Sequence, residues 1–174
     1  NATLVTPFTQ TADPSASLGE CILIPNGSGV NQNSPGGPGV ASFTFSVPNE
    51  DTYHIWVRFI APTISNDSLF VQIDSGPVQS WPMPQAPNWF WAKVKNYGTW
   101  DFYTLLSPGT HTLYFRQAED GIKLDKAIII NDPFFVPGAE DVIDVTPPTG
   151  SIKIDYDRLY TNSLLVTLSF SSQD

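Results

Sequence analysis

The sequence predicts an all-β chain, a sandwich or barrel of antiparallel strands, and three observations carry that prediction. Only 14% of the 174 residues are charged while 13% are aromatic, in a chain rich in Thr, Ser, Asn and Pro, a mixture that favours strands and turns over helices. Turn chemistry recurs at short intervals: Pro25-Asn26-Gly27, Ser34 to Gly39, Pro48-Asn49, Asp74 to Pro77, Ser107-Pro108-Gly109 and Asp120-Gly121. Between the turns apolar and polar residues alternate, and no segment longer than a turn shows a helical period.

The elements follow in order. Cys21-Ile22-Leu23-Ile24 is an apolar run holding the lone cysteine, which has no partner for an internal disulfide and reads as a buried structural thiol. In Thr52 to Ile60 the positions Tyr53, Ile55, Val57 and Phe59 are apolar, the period-2 pattern of a half-buried strand, with Trp56 on the outward face. Ser68 to Asp74 repeats the pattern with Leu69, Val71 and Ile73 inward, and Thr110 to Arg116 with Leu113 and Phe115. Gln79 to Met83 is a short returning segment. From Trp89 to Val94, Trp89, Trp91 and Lys93 share one face and Phe90, Ala92 and Val94 the other. Asn131 to Gly138 reads as a departing linker, which sets the first domain at 1–137, a linker at 138–149 and a partial β segment at 150–174. In that last segment Leu164, Val166, Leu168 and Phe170 alternate with Leu165, Thr167 and Ser169. Such a strand must pack on the first domain, pair with another chain or continue into a further domain.

Charge and motifs exclude several function classes. Eight basic against seventeen acidic residues give a formal charge of -9, which repels phosphate backbones and anionic lipid, so nucleic acid is not an expected partner. No apolar stretch approaches the roughly 20 residues of a membrane span. Sequons at Asn1, Asn26 and Asn66 point to an exported, glycosylated protein, extracellular or at the cell surface, with Asn26 and Asn66 as the loop-borne acceptors. Enzyme chemistry finds no constellation. His54 and His111 read as surface or strand-edge imidazoles, no Gly-x-Ser-x-Gly elbow occurs, and Glu119-Asp120 are adjacent in a turn rather than opposed across a cleft.

The aromatic residues are the better lead, because sugar rings pack their C–H faces on indoles while their hydroxyls seek planar donors and acceptors. Trp81 to Trp91 places Trp81, Trp89 and Trp91 with Asn88 in a Pro-rich stretch. The competing reading is that the tryptophans simply close the sandwich core. If Trp89 to Leu105 is one bent descending strand, loops 62–67, 83–88 and 117–122 converge; if it is a hairpin turning at Asn96-Tyr97-Gly98, they do not. A second aromatic patch is expected outside, where Trp56, Phe70 and Tyr114 alternate with Arg58, Gln72 and Arg116.

Ala16 to Gly19, Pro25 to Gly29, Phe43 to Pro48, Thr52 to Arg58, Ala61-Pro62, Asn66 to Asp74, Pro108 to Leu113 and Glu119 to Lys126, leading to Asn131-Asp132 and Phe135 to Pro137, stand in a specific order. In that order the chain resembles the galactose-binding-like jelly roll of the family 6 and family 35 carbohydrate-binding modules. The resemblance implies an antiparallel two-sheet jelly-roll sandwich without catalytic activity. Its glycan or polysaccharide ligand would be held by Trp81, Asn88, Trp89, Trp91, Glu119, Asp120 and Lys123, and no cofactor is implied beyond a structural calcium. Asp125 matches one carboxylate of that calcium site, whose Glu-x-Glu strand this sequence lacks; the alternative is a buried Asp bonded to backbone amides. Residues 150–174 resemble the first strands of a bacterial immunoglobulin-like domain. Beside the glycan-binding module stands a second reading: a subunit of a filament, sheath or surface layer, self-assembling by strand addition through its terminal strands.

Overall fold

The structure is a computed structural model that describes residues 2–33, 35–95, 102–138, 150–154 and 168–172. The chain divides into two compact units, Asn1–Ala139 and Glu140–Asp174. The described residues contain strands and turns and no helix.

The first unit is an antiparallel two-sheet sandwich. One sheet has the order β1-β4-β10-β6-β7, from Thr3–Val5, Val40–Val47, Gly109–Gln117, Ser68–Ile73 and Gln79–Pro82. The other has the order β2-β3-β11-β5-β8, from Thr9–Ala12, Glu20–Leu23, Lys123–Ile130, Asp51–Ala61 and Ala86–Lys93, with β9 (Tyr103–Leu106) also on β5. Non-sequential neighbours in both sheets give the jelly roll its crossovers.

The alternation read from the sequence is what closes the core. Ile55, Val57, Phe59, Leu69, Val71, Ile73, Leu113 and Phe115 are all buried between the sheets. Phe59 meets Trp81 edge-on at 5.6 Å, and Phe43 meets Phe115 in the same way at 5.9 Å, the arrangement that ring quadrupoles favour. Cys21 is buried as expected, and burial pushes its thiol pKa up. His54, read from sequence as a surface or edge imidazole, is instead buried.

Two sheet faces differ from expectation. Trp56 lies on β5 in one sheet, while Phe70 on β6 and Tyr114 on β10 belong to the other, so they form no common patch. Phe70 is buried as well, because the loop carrying Gly36 passes directly over its ring. Period 2 separates inside from outside but does not say which sheet a strand joins.

The second unit shows β12 (Gly150–Ile154) paired antiparallel with β13 (Leu168–Ser172). The expected linker residues 139–149 lie outside the described residues.

Candidate functional site

One end of the sandwich gathers four connections. β8 and β9 lie one after the other along the same edge of β5, pairing with Trp56–Ala61 and then with Asp51–His54. That is the single descending edge on which loop convergence depended; the alternative turn at Asn96 to Gly98 lies outside the described residues. The loops are stitched by main-chain bonds: Met83 N–H to Asp67 O (2.6 Å), Asn31 N–H to Ala118 O (2.7 Å) and Gly121 N–H to Ile24 O (2.8 Å).

Glu119 is the hub. Its side chain is buried, with Oε1 accepting from Gln32 Nε2 at 2.9 Å and Oε2 accepting from the Asp67 backbone N–H at 2.7 Å. Asp120 adds Oδ2 as acceptor for Gly29 N–H (2.9 Å) and its carbonyl as acceptor for Asn66 Nδ2 (2.7 Å). Gly121 closes the turn at φ 74°, and a Cβ there would collide with the Asn26 and Asn66 side chains.

Beside this hub lies an open cleft of about 310 Å³ lined by Gln32, Ile64, Asp67, Ser68, Phe70, Ser80, Pro82, Ala118 and Glu119. Its walls combine apolar surface with hydroxyl, amide and carboxylate groups. Burial, and then the neighbouring Glu119 carboxylate, raise the Asp67 pKa. Asp67 lines the cleft, and its carboxylate takes no hydrogen bond from any described residue.

A second cluster occupies the outer face of the β5–β8 sheet. Trp89, half-buried, donates Nε1–H to Ser15 Oγ at 2.9 Å and carries the Arg58 guanidinium over its ring at 5.0 Å. Arg58 in turn pairs with Asp125, whose side chain is 1% exposed against 14% for Arg58. A register shift between Leu124 and Lys126 takes Asp125 out of the ladder, and its Oδ1 accepts from both Ser17 N–H (3.0 Å) and Ser17 Oγ–H (2.8 Å). Lys93 lies over the Trp56 ring at 5.6 Å, and half-buried Trp91 is opposite Arg58 in the register.

The candidate sugar contacts therefore separate. Trp81 is 1% exposed and packed between Phe59 and Phe115; it closes the core and presents no ring to a ligand. Glu119 is spent on holding loops rather than free for a sugar. Lys123 pairs with Asp13 at 2.8 Å, and that bond, with help from Ser15, holds the Asp13 carboxyl down to about 2. Asn88 is exposed on β8 beside half-buried Trp89 and Trp91. No hydrogen bond, ion pair or ring contact among the described residues joins either tryptophan to Glu119 or Asp120. The calcium reading of Asp125 does not fit: its oxygens face a guanidinium and Ser17, and no group of three His, Cys, Asp or Glu among the described residues is placed to hold a metal. Of the loop sequons, Asn26 is exposed, whereas Asn66 turns its amide nitrogen inward to Asp120.

The sequence signals brought loops 62–67 and 117–122 together but did not single out the lining of the cleft between them. Ile64 and Asp67 share one loop while Gln32 comes from another far earlier in the chain, and nothing local marks any of the three as lining; the 74% exposure of apolar Ile64 becomes informative only beside Phe70 and Pro82.

No protein-family model matches the sequence. The fold is similar to that of a family 35 carbohydrate-binding module from Clostridium thermocellum, with a TM-score of 0.56 and 20% identity over 74% of this chain and 90% of that one. It is also similar to part of an exo-β-1,3-galactanase from Phanerochaete chrysosporium, with a TM-score of 0.54 and 16% identity, covering 75% of this chain and 27% of that chain. These likenesses show the fold of the first unit, an antiparallel jelly-roll sandwich like that of the family 35 module. In sequence, the chain is 24% identical over 126 residues to the uncharacterized protein P23 of Formosa agariphila, a match spanning 63% of this chain and 29% of that protein.

Proposed function

We propose that the first unit is a non-catalytic glycan-binding module of an extracellular or surface protein, and that it holds its sugar in the loop-end cleft. The observation carrying this reading is the Asp67 carboxylate, half-buried, without a described partner and set among Gln32, Ser68 and Ser80 with Ile64, Phe70 and Pro82 alongside. Sugar hydroxyls would donate to Asp67 and exchange bonds with the amide and hydroxyls, while a pyranose face packs on exposed Ile64 and Pro82. About 300 Å³ suits one small ring, since ligand pockets begin near that size. The carbohydrate-binding modules that share the fold support the ligand class. Asn88, Trp89 and Trp91 form a neighbouring aromatic strip along which a longer chain could run.

Titration calorimetry against a panel of soluble polysaccharides tests this. Asp67→Ala is expected to weaken the best ligand at least tenfold while leaving the melting temperature unchanged, with Trp89→Ala reducing only the affinity for longer chains. Full affinity in Asp67→Ala with loss in Trp89→Ala would move the site to the sheet face. No binding across a broad panel would refute the glycan reading.

A further inference from the structure

The sandwich is open along the side bounded by β4 and β11. β1 covers only Val40–Ser42 of β4, so among the described residues Phe43–Val47 has a ladder partner on one side alone, in β10. β3 pairs only with Lys123 and Leu124 of β11, so Ala127–Ile130 likewise has β5 as its only strand partner among the described residues. Two half-strands, one from each sheet, thus border the same gap with an unused edge each. The gap is a groove of about 470 Å³ walled by Phe45, Val47, Tyr53, Ala127 and Ile129, and a narrower opening beside Phe43 and Leu124 continues it. Phe43, Phe45, Ala127 and Ile129 pack on the core but remain only partly buried. A missing strand would leave this combination of free edges above a row of half-covered apolar side chains.

We propose that this groove is a strand-acceptor site, filled by the Ser163–Phe170 run of a second copy of the chain. The acceptor asks for a short extended segment with an apolar side chain at every second position, and Leu164, Val166, Leu168 and Phe170 meet that pattern. Charge favours the same run. Each copy carries a formal charge of -9, which opposes association, but residues 159–173 contain no charged residue and the walls named above are uncharged, so the strand docks without like-charge contact. The donor also keeps an available edge: Leu168–Ser172 pairs only with Gly150–Ile154 among the described residues. A two-stranded ladder gains stability by adding strands, so donor and acceptor both profit. Groove and donor are different surfaces, which makes the contact heterologous and the product an open series rather than a closed pair. This goes beyond glycan binding and does not depend on it.

The test uses the full chain and light scattering across a micromolar concentration series. Wild type is expected to grow in mass with concentration. Phe45→Lys closes the groove and Leu168→Asp spoils the donor, so each alone is expected to be a monomer. Mixed together, the intact donor of the first and the intact groove of the second should give a species of twice the monomer mass that grows no further. Should Phe45→Lys lower the melting temperature, Ala127→Lys replaces it. A wild type that stays monomeric at every concentration, including one whose tail docks on its own groove, overturns the proposal. So does association that survives both substitutions.

Discussion

Replacing Asp125 by alanine is expected to destabilise the first unit by about 4 kcal/mol, within the range for removing one partner of a buried ion pair. The structure sets this size. The Asp125 side chain is 1% exposed and that of Arg58 14%, so solvent screens the pair little, and without the carboxylate Arg58 keeps the Trp89 ring but, as hydrogen-bond acceptor, only the Ser15 carbonyl at 3.4 Å. The Ser17 N–H and hydroxyl lose their acceptor at the same time. These losses share one carboxylate and do not simply add, so the pair figure stands for the whole. A domain of this size is stable by about 5–15 kcal/mol, so the midpoint of urea unfolding should fall by a large fraction with an unchanged slope. Tryptophan fluorescence reports it, because Trp89 stacks on the same guanidinium. Arg58→Met combined with Asp125→Leu should recover much of the loss, since it removes the stranded charge. A loss under about 1 kcal/mol for Asp125→Ala would refute the reasoning, because it would place the pair in the energy range of exposed salt bridges.

Other outcomes follow from the same geometry. Phe59→Ala removes a ring with no exposure from between Trp81 and Phe90 and should cost about 3–5 kcal/mol in the same assay. Gly121→Ala, forced into positive φ and against Asn26 and Asn66, should lower the melting temperature and weaken any ligand of the loop-end cleft. His111 has its pKa raised by Asp74 Oδ2 at 2.7 Å and then by the Ser107 carbonyl; burial works against Asp74, but its bonds to His111 and Thr112 bring its own pKa down. The His111 contribution is therefore full below 6.5 and lost as pH rises through the elevated folded value, while the Asp74 contribution is lost as pH falls below 3.8. Wild type should melt higher at mildly acidic than at mildly alkaline pH by a margin that His111→Asn abolishes; an equal margin in the variant would discount the pair.

Much of the fold was legible because a strand buried on one face writes that fact locally. Tyr53, Ile55, Val57 and Phe59 need only alternate to declare an inward row, and all are buried. Sheet membership is not local, which is why Trp56 could not be separated from Phe70 and Tyr114 before the ladders were known. Trp81 illustrates the same boundary: in a Pro-rich stretch it looks available, but β7 is an edge strand whose inward position points at Phe59 and Phe115. For the site, Asp120 and Glu119 were visible as a polar turn, but their roles were not. Glu119 reaches Gln32 and Asp67 across sequence separations of 87 and 52, and Asp125 reaches Arg58 across 67, distances that only the crossovers of the jelly roll bring together.

The way Glu119 grips its neighbours bears on how such a cleft can diversify. It holds position 67 through the main chain, a donor that every residue except proline supplies, while the side chain at 67 is left to the cleft. Ile64, 74% exposed, takes part in no hydrogen bond among the described residues, and Ser80 pairs with Phe70 through its backbone. The frame and the lining of the cleft are therefore built from different atoms of the same residues. Exchanging side chains at 64, 67 and 80 could retune which ligand fits while the loops keep their course, so a library randomised at those positions, with Glu119 and Gly121 fixed, would sample specificity at little cost in folding.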